Sequence, residues 1–114
     1  MKFERFEDIV AWQKAGELTL EIYRIFKNNK DFSFKDQIKR AVISIMNNIA
    51  EGYERKSNKE FMYFLYIAKG SCGEVRSMLY VAYRLGYVTE EQLKNLHSTS
   101  VEISKMLSGL IKTL

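Results

Sequence analysis

Proline is missing from this sequence altogether, and glycine, cysteine, histidine and tryptophan are scarce. Without proline and with only six glycines, the turn punctuation of a many-stranded β fold is lacking, so helices are the expected element. A single cysteine, Cys72, excludes an internal disulfide, a CxxC redox pair and a Cys-His metal cluster, and it suits a reducing cytosol. The one histidine, His97, has no glutamate at the spacing of the Glu-x-x-His motif that di-metal helix bundles use. Long apolar runs are also absent. The start, MKFERFEDIVAW, alternates charged and apolar residues, and FMYFLYIA at 61–68 is far too short to span a bilayer. These absences point to a soluble cytoplasmic chain that calls for no metal, no cofactor and no membrane.

What is present describes a globular domain. The 114 residues are 46% hydrophobic and 28% charged, which suits one domain over 1–114 with one hydrophobic core. Capping and periodicity predict four helices. The first runs from about Glu7 to Asn28 and ends in KNNKD. The second follows Ser33, whose SFKD pattern puts Asp36 in a capping-box relation, and it ends near Gly52. The third opens on Ser57 and Glu60 in SNKE and continues to Gly86; the fourth opens on TEEQ at Thr89 and runs to the C-terminus. Short connections favour an all-α, antiparallel, up-down-up-down four-helix bundle.

The helix faces differ. Leu93, Leu96, Ser100, Ile103, Leu107 and Leu110 form a narrow stripe on the fourth helix, so one partner surface suffices for it. The third helix is apolar on two sides. Phe61, Phe64, Ile67, Ala68, Val75, Met78, Leu79 and Ala82 cover one, and Met62, Tyr66, Tyr80 and Tyr83 occupy much of the other. The tyrosine and methionine side needs a cover: either a second copy in a ring-like homo-oligomer, which is the expectation, or a loop or the N-terminal segment. On the second helix Ala41, Ile45, Ile38, Ile49, Val42, Tyr53 and Met46 share one arc, with Gln37, Arg40, Ser44, Asn47, Asn48 and Glu51 opposite. The expected role of Gln37, Arg40, Ser44, Asn48, Glu51 and Glu74 is a structural polar network, with Arg40 answering Glu74 or Glu51 and fixing helix register.

Catalysis finds little support in the same residues. Glu51 and Glu74 are a conceivable acid-base pair, but Ser71 and Cys72 have no evident base, and both Cys72 and His97 fit structural positions better. Charge leaves room for a nucleic-acid partner. Between residues 24 and 59 nine basic residues (Arg24, Lys27, Lys30, Lys35, Lys39, Arg40, Arg55, Lys56, Lys59) face four acidic ones (Asp31, Asp36, Glu51, Glu54). The candidate phosphate-contacting set is Arg55, Lys56 and Lys59 in the turn YERKSNK, with Lys35 and Lys39. The plain alternative is that they are solvated lysines on helix ends and turns.

The run QIKRAVISIMNNIAEGYERKSNKEFMYFLYIAKGSCGEV, residues 37–75, resembles the central signature of the 23S rRNA intervening-sequence protein family, also called S23 ribosomal proteins. Its NIAEG core, Asn48 to Gly52, is followed by Arg55, Ser57, Glu60 and Phe61 in the R-x-S-x-x-E-F pattern, and FEDIVAWQKAGELTLEIY and RLGYVTEEQ extend the likeness over nearly the whole chain. The resemblance implies an antiparallel four-helix bundle assembling as a homopentamer. It also implies similarity to the accessory variability determinant of diversity-generating retroelements, a pentameric basic barrel that binds nucleic acid and a reverse transcriptase. The expected function is therefore a non-enzymatic accessory protein contacting RNA or DNA phosphates. The alternative is a scaffold or adaptor for a protein partner.

Overall fold

Residues 3–114 are described by the computed structural model, which folds them into four helices and, among the described residues, no strand. They are α1 (Val10–Phe26), α2 (Phe32–Glu54), α3 (Asn58–Arg84) and α4 (Glu90–Lys112). At about 1.5 Å per residue, the 27 residues of α3 account for the 42 Å long axis of the molecule. Each helix packs on the next in the chain, and α1 also packs on α4. No helix is long and apolar enough to cross a membrane.

The helix starts show which local signals prevail. Ser57 and Thr89 cap α3 and α4 as the sequence predicts: Ser57 Oγ accepts from the Glu60 N–H at 3.1 Å and Thr89 Oγ1 from the Gln92 N–H at 3.1 Å. At Thr89 the box is complete, because the Thr89 N–H donates to Gln92 Oε1 at 2.8 Å. The start of α2 differs from the expectation. Its N-cap is Asp31, whose Oδ1 accepts from the Phe34 N–H at 3.2 Å, while Ser33 is an exposed residue of the first turn. A carboxylate at this position satisfies a free N–H and also complements the helix dipole. The start of α1 differs too. Residues Phe6–Asp8 form a separate 3-10 turn, and the extended backbone of Ile9 breaks it from the helix and turns the Ile9 side chain into the core.

Two glycines hold positions that disfavour a side chain, one by its backbone angle and one by close packing. Gly86 takes φ +79° after α3, and the bonds from Tyr87 N–H to the Ala82 carbonyl (2.8 Å) and Gly86 N–H to the Tyr83 carbonyl (3.0 Å) close the helix in a Schellman motif. Gly52 is buried where α2 meets α3, and a Cβ there would lie 2.7 Å from Phe64 Cβ and 3.3 Å from the Phe61 carbonyl oxygen. The glycine of NIAEG is thus a point of close helix approach.

One core is shared by all four helices, with Leu18, Ile22 and Phe26 of α1, Ile38, Val42, Ile45 and Ile49 of α2, Leu65, Val75 and Leu79 of α3, and Ile103 and Leu107 of α4. The predicted apolar arc of α2 is buried in its central positions. On α4, Leu96, Ser100, Ile103 and Leu107 are buried and Leu93 and Leu110 half-buried. Burying each large aliphatic side chain stabilises the fold by about 1.5–3 kcal/mol before the entropy of ordering is subtracted. Polar groups in the seams find partners. Ser100 Oγ donates to the Cys72 carbonyl at 3.1 Å and accepts from Arg76 at 3.3 Å, and Lys69 donates to Ser108 Oγ at 2.7 Å.

Candidate nucleic-acid interface

Ser44 and Asn48 of α2 lie at the seam with α3. Ser44 Oγ and Ser71 Oγ lie 2.9 Å apart, and Asn48 Nδ2 donates to both the Ser44 carbonyl (2.8 Å) and Ser44 Oγ (2.9 Å). Asn48 thereby fixes the hydroxyl that bridges the helices. Toward the start of α2 the seam opens into a groove of about 540 Å³ lined by Ser33, Asp36, Gln37, Arg40, Ser44 and Glu74. Across it Gln37 Nε2 reaches Glu74 Oε2 at 3.5 Å, the outer limit of a hydrogen bond.

The charged part of this network departs from expectation. Arg40 and Glu74 are exposed and form no ion pair among the described residues, and Glu51 pairs instead with Arg55 at 2.7 Å. Solvated side chains gain little from such a contact, whereas Arg55, one helical turn beyond Glu51, reaches it at no packing cost. The Arg55 guanidinium also lies 3.8 Å from Glu60 and 4.8 Å from the centre of the Phe64 ring. Its charge is therefore committed locally. Lys56 and Lys59 are exposed beside it without an ion pair among the described residues.

Lys35 and Lys39 sit near the other end of α2, so the five candidate phosphate contacts fall into two separate groups on the chain. The Lys39 ammonium is 4.5 Å from the centre of the Tyr23 ring of α1. The Lys35 ammonium is 5.4 Å from the Phe32 ring and donates to the carbonyls of Lys27 (3.1 Å) and Asn29 (3.5 Å). Exposed Lys27 and Lys30 flank them in the connecting turn. Sequence reasoning overlooked Tyr23 and Phe32, although the spacing Phe32, Lys35, Lys39 already places an aromatic and two lysines on one helix face.

At this end the α1–α2 turn is tied to the α3–α4 turn. Tyr87 donates to Asp31 Oδ2 at 2.7 Å, and the Tyr87 ring packs edge-on against Phe26 and Phe34. The hydrogen bond from Tyr87, with that from the Phe34 N–H, lowers the Asp31 pKa, and the same hydrogen bond raises the phenol pKa of Tyr87.

Of the expected interface residues, Tyr66, Tyr80 and Tyr83 are exposed and Met62 is half-buried. Tyr80 Oη lies 3.1 Å from His97 Nε2, which joins α3 to α4 at the surface. The outermost line of α3 is occupied by Tyr63, Val81 and Leu85, all exposed, with Gly70 and Ser77 between them. The Cys72 thiol is buried, and burial pushes its pKa up to about 11, far from that of an activated nucleophile. Among the described residues no group of three His, Cys, Asp or Glu side chains converges to hold a metal ion.

Residues 7–109 match the model of the 23S rRNA-intervening sequence protein family. The chain belongs to that family. A crystal structure of a protein with unknown function from the S23 ribosomal protein family of Bacteroides thetaiotaomicron is similar to it, with a TM-score of 0.84 and 33% sequence identity over 90% of this chain and 96% of that one. No curated protein matches the sequence. What the intervening-sequence family and this relative share with the chain is the four-helix bundle; neither carries an assigned activity.

Proposed function

We propose that this member of the 23S rRNA-intervening sequence protein family is a single-domain, non-enzymatic, cytoplasmic accessory protein that contacts the phosphates of RNA or DNA. The observation that carries the reading is a surplus of uncommitted cations. Lys27, Lys30, Lys39, Lys56 and Lys59 form no ion pair among the described residues; Asp36, Glu54 and Glu74 are unpaired there too, but Glu21, Glu51, Glu60, Glu90 and Glu102 each sit against a basic partner. Such a surface attracts a polyanion without reading its bases.

An up-down-up-down order of the helices places the two lysine groups at opposite ends of the protomer. Support comes from pairings whose residue numbers rise on one helix as they fall on the next: Thr19 with Val42 and Tyr23 with Lys39, then Gln37 with Glu74 and Ser44 with Ser71, then Lys69 with Ser108 and Arg76 with Ser100. Assembly into a ring, with five copies as the family resemblance suggests, would repeat each group around a rim. The exposed α3 residues Tyr63, Tyr66, Val81 and Leu85 support self-association, because large apolar side chains along one outer helix face suit a partner surface.

The test is binding of the purified protein to an RNA hairpin, single-stranded DNA and duplex DNA across a salt series. The expected result is affinity that falls linearly on a log-log plot against salt, with the slope made shallower by about 0.7–0.9 for each phosphate contact removed by a Lys→Gln change at position 39, 56 or 59. Absence of binding at low salt would favour the second reading, a scaffold for a protein partner such as a reverse transcriptase, which the same α3 surface also suits.

A further inference from the structure

The α1–α2 face carries more than charge. On α2, Phe32, Lys35, Lys39, Ile43 and Met46 recur one turn apart, and on α1, Gly16, Leu20, Tyr23 and Lys27 do the same. Neither line contains an acidic residue. The acids of α1 lie elsewhere: Glu21 pairs with Arg24, and Glu17 and Glu21 line a hollow shared with Asn95 and Thr99 of α4. Three large apolar side chains stand out from the basic face, Leu20 at 65% exposure, Phe32 at 64% and Tyr23 at 37%. A lysine ammonium lies over one face of each aromatic ring, Lys39 over Tyr23 and Lys35, which also donates to the Lys27 and Asn29 carbonyls, over Phe32.

We infer that this face, built on Tyr23, Phe32, Lys27, Lys35 and Lys39, is a stacking site for single-stranded nucleic acid. A nucleotide presents a flat base and an anionic phosphate within reach of each other, and exposed rings alternating with ammonium groups meet both. In a duplex the bases are stacked on one another and cannot lie on a side chain, so the rings add affinity only for unpaired strands. Stacking tolerates any base, which fits a face lacking the amide and carboxylate groups that read base edges. An acidic protein segment would satisfy the lysines but leaves two exposed rings without a flat partner, and the charge complementarity favours the polymer that supplies both. The inference rests on the nucleic-acid reading above and narrows it to a strand type and a place.

The experiment uses the full chain and fluorescein-labelled oligothymidylate, with a hairpin duplex of equal nucleotide count as control. Tyr23 and Phe32 are exposed, so Tyr23→Leu and Phe32→Leu are expected to fold, with helical circular dichroism and solution mass as checks. The expected result is a loss of oligothymidylate affinity of about fivefold or more for each ring, with the salt slope and duplex binding unchanged. Phe32→Trp restores the affinity. Single-strand binding that ignores both rings and responds only to Lys56→Gln and Lys59→Gln would overturn the stacking site while leaving the nucleic-acid function intact. A fall in solution mass of Phe32→Leu would also overturn it, making the face a contact between copies. Failure of every nucleic acid to bind would remove both readings together.

Discussion

At the scale of single residues, Gly52 and the Asp31–Tyr87 pair make claims that experiment can reach. Gly52→Ala puts a methyl group against the Phe61 carbonyl and the Phe64 Cβ, neither of which is the flexible end of a side chain. The expected cost is about 1–3 kcal/mol, seen as a lower urea midpoint, because the helices must separate to admit it. The Asp31–Tyr87 hydrogen bond has a pH signature. Asp31 titrates lower in the folded chain than in the unfolded one, so its contribution is present above the ordinary carboxylate pKa and is lost as pH falls through the folded value. Tyr87 titrates higher when folded, so its contribution is intact below the ordinary phenol pKa and disappears as pH rises through the folded value. Tyr87→Phe is therefore expected to melt below the parent protein at neutral pH, with the gap closing in strong acid and strong alkali. A gap independent of pH would contradict this account.

At the scale of helices, legibility in the sequence depended on whether the deciding contact was local. The starts at Ser57 and Thr89 are settled by partners three residues away, and their capping motifs gave the helix starts without further information. The start of α2 is different, because KNNKDFSFKD offers two caps and Tyr87, 56 residues on in the chain, secures the Asp31 carboxylate. Asp31→Ala should thus lower the urea midpoint clearly, whereas Ser33→Ala should leave it nearly unchanged. Ile9 was hidden for a related reason, since it ends one turn and starts a helix with no side-chain cap at all. The polar stripe of α2 was legible as a set. Its internal pairing was not, because exposed long side chains such as Arg40 and Arg55 choose partners by small differences in reach.

At the scale of the whole molecule, the fold was readable because four amphipathic segments joined by short turns have few ways to bury their apolar faces. The outer surface was harder. The tyrosine side of α3 was recognised, yet Tyr63, Val81 and Leu85 stand further out than Met62, since a helix wheel gives direction but not the depth to which neighbours cover it. If copies meet through this line, Tyr66→Glu or Val81→Glu should lower the solution mass measured by light scattering without loss of helix content. An unchanged mass would direct attention to another face. The one thiol supplies an independent gauge of the molecule as a unit. Cys72 is buried in the core, and that burial holds its pKa high enough to leave almost no thiolate at neutral pH while the bundle is closed. Alkylation should therefore wait for global opening, so the natural chain carries a chemical clock whose rate reports how often the whole bundle comes apart, and whether a nucleic acid or a second copy slows it.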